Sequence, residues 1–165
     1  MKNIHKYNFF KKKYGEHLLA DVVTIADFKK YIQKNPVHRL TYFDITFITK
    51  GSESLMINQT KSPVGPGDVI CSIPRDVWIW EKQTGLEGYA LVFEEEFFLS
   101  FYNNKLFLYD LTFLQGERAS AFVKPDEALF SQILEYLKKI KIEIQKGENS
   151  HVGLNFDYPV LIMCY

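Results

Sequence analysis

The stretch Pro36-Val37-His38-Arg39-Leu40-Thr41-Tyr42-Phe43-Asp44-Ile45-Thr46-Phe47-Ile48-Thr49-Lys50-Gly51 decides the architecture of this 165-residue chain. From Arg39 to Lys50 it is rich in β-branched and aromatic residues and stops at a glycine, which reads as one long strand. Side chains alternate across a strand. Phe43, Ile45 and Phe47 therefore point one way, and Leu40, Tyr42, Asp44, Thr46 and Ile48 the other. One face is wholly apolar. The other mixes a phenol, a carboxyl and a hydroxyl with aliphatic residues, as in a small-ligand pocket or the wet face of an antiparallel sheet. Period two alone does not choose between these.

Outward from this strand the chain stays β-like. A second strand is expected over Ser54 to Thr60, then a turn at Pro63-Val64-Gly65-Pro66-Gly67-Asp68. Short strands follow at Asp68 to Ile73, Val77 to Glu81 and Glu87 to Phe93, split by Pro74-Arg75-Asp76 and Gln83-Thr84-Gly85. Short strands at this spacing predict an antiparallel barrel or sandwich. Upstream, Glu16 to Thr24 reads as a strand. Thr24-Ile25-Ala26-Asp27 reads as a capping box opening a short helix, which must stop before Asn35-Pro36. Downstream, Glu94 to Tyr102 predicts a short helix with acids in its first turn, and Lys105 to Val123 has room for one more strand pair.

Pro125-Asp126-Glu127 opens the clearest helix. Leu129, Ile133, Tyr136, Leu137, Ile140 and Ile144 recur at three-to-four spacing and Gly147 ends it. That stripe either covers the β domain or forms a seam between two copies of the chain. A further helical stretch is expected from Ser150, with Leu154, Tyr158, Leu161 and Ile162. The sequence thus divides into an arm (1–15), a β domain (16–125) and a helical segment (126–165).

Composition excludes several classes. Twenty Lys and Arg balance twenty Asp and Glu, a poor endowment for a DNA-binding face. Cys71 and Cys164 form no metal-finger spacing or disulfide framework, so a reducing cytoplasm is the expected setting. No run reaches the roughly 18 apolar residues of a membrane-spanning helix. The basic start (Lys2, Lys6, Lys11, Lys12, Lys13) lacks the apolar centre of a secretory signal. It reads as a solvated arm, or as one that folds back through Tyr7, Phe9 and Phe10. His5, His17 and His151 have no carboxylate or cysteine at ligand spacing, and no nucleophile elbow or phosphate loop is found.

The string from Pro36 to Ile45, then Phe47-Ile48-Thr49-Lys50-Gly51, then Gly65-Pro66-Gly67-Asp68-Val69, then Pro74 four residues before Trp78, resembles a cupin barrel. It is most similar to the N-terminal sensing domain of AraC-family transcription regulators. Phe93-Glu94-Glu95-Glu96-Phe97 and the helix from Asp126 fit the same layout. The resemblance spans residues 16 to 165. It implies a mainly β fold, a cupin-like antiparallel β-barrel (double-stranded β-helix) followed by C-terminal α-helices. It also implies a small effector inside the barrel, sugars among the candidates, a homodimer, and DNA contact only through a helix-turn-helix half absent here. The apolar run Val160 to Tyr165 fits a piece of a longer protein.

Against the metal-binding pattern of cupin enzymes, His38 takes the first ligand position and Asp44 the carboxylate position. Leu40 and Trp78 fall where the other two histidines belong. Half the ligands are gone, so no catalytic metal and no cofactor are expected. With His38 turned inward, the implied ligand-binding residues are His38, Tyr42, Asp44 and Thr46, with Lys50 at the strand end and Trp78 and Trp80 on a neighbouring segment. The implied dimerisation residues are Leu129, Ile133, Tyr136, Leu137, Ile140 and Ile144. The competing readings are a metal-dependent cupin enzyme, an isomerase or oxygenase on a small polar substrate, and a stand-alone carbohydrate-binding or structural domain.

Overall fold

The computed structural model describes residues 4–10, 19–81, 84–97, 115–116 and 120–146. The helical stretch expected from Ser150, His17, His151, Cys164 and most of the 105–121 segment lie outside these. In chain order the elements are β1 (His5–Tyr7), β2 (Ala20–Thr24), α1 (Ile25–Lys34), β3 (Val37–Leu40), β4 (Phe43–Lys50), β5 (Glu53–Ile57), β6 (Thr60–Val64), β7 (Val69–Ser72), β8 (Val77–Ile79), β9 (Glu87–Phe93), β10 (Phe122–Val123) and α2 (Glu127–Lys146). Of the helix expected from Glu94 to Tyr102, residues 95–97 form a helical turn and 98–102 lie outside the described residues.

The fold is mainly β, but the described strands do not close into a barrel. They form two five-stranded sheets, ordered β1-β3-β8-β5-β6 and β10-β7-β4-β9-β2. All pairings are antiparallel except β1 with β3. The long strand expected from Arg39 to Lys50 is two strands. The chain bends at Thr41–Tyr42, leaving β3 in the first sheet and β4 in the second. The strand expected over Ser54 to Thr60 is likewise a hairpin, β5 pairing β6 with Ile57 opposite Thr60. Asn58, at φ +55°, takes the left-handed turn conformation that asparagine tolerates better than most residues.

Each face of the second sheet has its own core. On one, Phe47, Val69, Cys71, Leu91 and Phe93 pack with Phe130, Ile133, Leu137, Ile140 and Ile144 of α2, with Phe43 and Ile45 against the same cluster. The apolar parity of β4 thus meets a helix. On the other, Ile48 and Ile70 meet Leu40, Leu55, Ile57, Val64 and Trp78 of the first sheet, with Ile25 and Ile32 of α1. Burying each such aliphatic side chain contributes roughly 1.5–3 kcal/mol.

Local chemistry sets the joints. Thr24 caps α1: its hydroxyl accepts from the Asp27 N–H while the Asp27 carboxylate accepts from the Thr24 N–H. Asn35 ends the helix, its N–H donating to the Tyr31 carbonyl. The Gly65-Pro66-Gly67-Asp68 turn is closed by the Asp68 carboxylate, which accepts from the Gly65 N–H at 2.7 Å, and it is sewn to β4 by Gly67 N–H to the Ile48 carbonyl at 3.0 Å. Gly67 sits at φ +89°, a conformation glycine adopts without strain. This part of the motif is therefore a turn that fixes the β4–β7 register.

Candidate functional site

A cavity of about 620 Å³ opens at the end of the sandwich where α1, the arm and the C-terminal half of α2 converge. That volume suits a small organic ligand. Its floor is a row across the second sheet. Asp21 lies opposite Val92, Val92 opposite Asp44, and Asp44 opposite Ser72. The facing wall comes from the first sheet, where His38 lies opposite Trp78. The two layers are joined here by the Trp78 indole N–H, which donates to the Ser72 hydroxyl at 2.8 Å.

Five of the seven residues expected to bind ligand line this cavity: His38, Tyr42, Asp44, Trp78 and Trp80. Parity survives the bend at Thr41–Tyr42, so Leu40, Tyr42 and Asp44 share the chamber although β3 and β4 belong to different sheets. Thr46 lies one step deeper, fully buried, and its hydroxyl donates to the Asp44 carboxyl at 2.6 Å. Lys50 is elsewhere. Its side chain is 73% exposed and its ammonium is 3.3 Å from Glu87.

The electrostatics follow from burial. Desolvation pushes the Asp44 carboxyl up to about 7, partly opposed by the Thr46 hydroxyl. The same desolvation, with the Asp44 and Tyr7 charges nearby, raises the Tyr42 phenol well above its usual range. Burial lowers His38 below the usual imidazole value, with the nearby His5 assisting and the Asn35 carbonyl opposing. His38 Nδ1 is 2.8 Å from that carbonyl, which requires the proton on Nδ1 and leaves Nε2 an acceptor. The Trp78 and Trp80 rings stack at 5.4 Å and 11°, and Phe28 meets Trp80 edge-on at 6.1 Å.

The remaining wall contains residues outside the seven expected to bind ligand. Tyr7, Asn8, Phe9 and Phe10 line the cavity from the arm. β1 is tied down by its pairing with β3, and the Tyr7 hydroxyl donates to the Tyr31 carbonyl at 3.0 Å and accepts from Asn35 Nδ2 at 2.8 Å. The arm folds back, as one of its two readings held. Asp21, Asp27, Lys141 and Gln145 are also present. Lys141 donates to the Val22 carbonyl at 3.1 Å and pairs with Asp27 at 3.5 Å. Burial alone would raise Asp27, but the Thr24 bonds and the Lys141 ammonium hold it below the usual carboxylate range. Two of these had a signal in the sequence. Asp21 interrupts the apolar run Leu18 to Val23, and Lys141 falls on the apolar stripe between Leu137 and Ile144.

At the positions of the enzyme-type metal pattern, Leu40 and Trp78 line the cavity beside His38 and Asp44. Among the described residues no group of three or more His, Cys, Asp or Glu is placed to hold a metal ion. The six residues expected to form a dimer seam lie on α2. Ile133, Leu137, Ile140 and Ile144 are buried against the chain's own sheet, and Leu129 and Tyr136 are half-buried on one flank. No described helix is long and apolar enough to cross a membrane.

Two sheets enclosing an aromatic-walled chamber, one of them backed by a long helix, define a β-sandwich with an interior cavity. Among solved structures, this chain is similar to ToxT from Vibrio cholerae, an AraC-family regulator, with 10% sequence identity and a TM-score of 0.39. The match covers 83% of this chain and 61% of that one, so the chain spans less than two thirds of ToxT. No family model matches the sequence, and no curated protein matches it.

Proposed function

We propose that this chain is the ligand-sensing and dimerisation part of an AraC-type transcription regulator. A small cytoplasmic effector occupies the cavity between the sheets, and its binding controls a helix-turn-helix half elsewhere in the full protein. The observation that carries the reading is the convergence of His38, Tyr42, Asp44, Trp78 and Trp80 on one cavity of about 620 Å³. Aromatic walls with a few polar groups are what a small-molecule site needs. The cupin-like sequence pattern from Pro36 to Trp78 supports the same assignment.

The mechanism is a population shift. An effector favours whichever arrangement of arm, α1 and α2 it binds better, and by no more than that difference in affinity. The cavity is built for this, because its walls come from the arm, α1, α2 and both sheets. Homodimerisation uses the flank of α2 that carries Leu129 and Tyr136, which are half-buried where Ile133, Leu137, Ile140 and Ile144 are buried.

The test is a charge-diverse small-molecule screen by thermal melting of wild type, Asp44→Ala and Trp80→Ala. At one hundred times its Kd, a ligand stabilises the folded state by about 2.7 kcal/mol, worth roughly 5–10 °C at this chain length. A hit that shifts wild type but neither variant supports the site. A hit that shifts all three equally places binding elsewhere, and a screen without hits removes the effector reading.

A further inference from the structure

We propose that the cavity selects a small organic cation, an amine carried on an aromatic or aliphatic body, whose charged head sits on Asp44 between the Tyr42 and Trp78 rings. The proposal rests on the effector reading above and narrows it to a ligand class.

Three observations point the same way. First, carboxyl groups outnumber cations on the wall. Asp21, Asp27 and Asp44 line it, and Lys141 is the one ammonium among the described lining residues. Second, these charges are not equally committed. The Lys141 ammonium is engaged by the Asp27 carboxylate and the Val22 carbonyl, so an anionic ligand must compete for it. Asp44 is 6% exposed and accepts one hydrogen bond, from Thr46. No described cation stands beside it. Third, the aromatic walls suit a positive head and an apolar body. The faces of Trp and Tyr attract cations. The Trp78 N–H is already spent on Ser72, so Trp78 offers a ligand its ring and no hydrogen-bond donor.

The burial that holds Asp44 near neutrality gives the site a proton-linked signature. An amine binds the carboxylate form and must displace a proton wherever Asp44 is protonated. The other titratable groups facing the cavity are His38, Tyr7, Tyr31, Tyr42, Asp21, Asp27 and Lys141. An Asp44→Asn variant keeps all of them and an acceptor for Thr46.

The experiment is isothermal titration of the 165-residue chain with three matched probes: phenethylamine, 2-phenylethanol and 3-phenylpropionate. Each is run at pH 5.5 and pH 8 on wild type, Asp44→Asn and Lys141→Met. The expected result is that phenethylamine binds wild type at pH 8 at least tenfold more tightly than either isostere. Its affinity falls roughly thirtyfold at pH 5.5, as expected for a competing proton with a pKa near 7. Asp44→Asn removes both differences, and Lys141→Met does not weaken the amine. If the alcohol or the carboxylate binds wild type as well as the amine or better, or if the amine preference persists in Asp44→Asn, the cation class is wrong while the effector site stands. If no probe binds, the cation class falls, and the screen above decides the effector reading separately.

Discussion

Asp44 is a carboxyl inside a sandwich core with a single hydroxyl for company, and that has a thermodynamic cost. Its folded pKa is raised to about 7 from an ordinary 3.8. Between those values the folded chain holds a proton that the unfolded chain has released. Stability contributed by this group therefore declines as pH climbs from 4 to 7 and is level above. Asp44→Asn is neutral throughout. The variant is expected to gain on wild type with rising pH, by an amount on the order of 3 kcal/mol between pH 4.5 and 7.5, as read by denaturant unfolding at those two values. Parallel curves would show that Asp44 is solvated. This residue and its partners were legible in the sequence because alternation is local. A carboxyl and two hydroxyl-bearing side chains at positions 42, 44 and 46 share a parity whatever the strand pairs with. Lys50 shares that parity, yet it lies beyond the bulge between Ile48 and Lys50, where the strand leaves the chamber. Lys141 is marked locally only as a cation on an apolar stripe; its partner carbonyl, Val22, is 119 residues away, so its place at the cavity is not a local signal.

At the scale of elements, α2 is the cover of the second sheet. Leu137 is fully buried at the centre of its stripe. Leu137→Ala is expected to cost 2–5 kcal/mol through lost burial and a residual cavity, measured by urea unfolding, whereas Ile142→Ala, on the exposed side, is expected to cost under 1 kcal/mol. Equal effects would mean that the helix does not pack as described. Helix positions were readable because the capping box, the Pro36 stop and the 3.6 periodicity are local signals. Sheet membership was not. Nothing local states that 37–39 pairs with 77–79 while 43–50 pairs with 87–93, so by its local pattern the run is a single strand. The β5–β6 hairpin had a readable mark in Asn58, masked because the flanking residues continue to alternate.

At the scale of the molecule, the covered stripe of α2 limits how two copies can meet. Of the six stripe residues, Leu129 and Tyr136 are half-buried and the other four buried, so a seam that uses this stripe falls on their flank. Sedimentation at tens of micromolar is expected to give a dimer for wild type and a shift toward monomer for Tyr136→Glu. A wild-type monomer would separate the sensing role from self-association. Among the described residues the strands form two sheets and not a closed barrel, for a related reason. Strand count and turn spacing are the same for a closed barrel and for two facing sheets, and closure depends on pairing between strands remote in sequence.

The stacked indoles carry a practical consequence. The chain contains two tryptophans, and both stand on the cavity wall, one over the other. The whole indole emission of the protein therefore originates at the chamber. A guest settling against Trp80 changes the polarity and quenching felt by both chromophores, so the native chain carries its own optical gauge of occupancy and needs no attached dye.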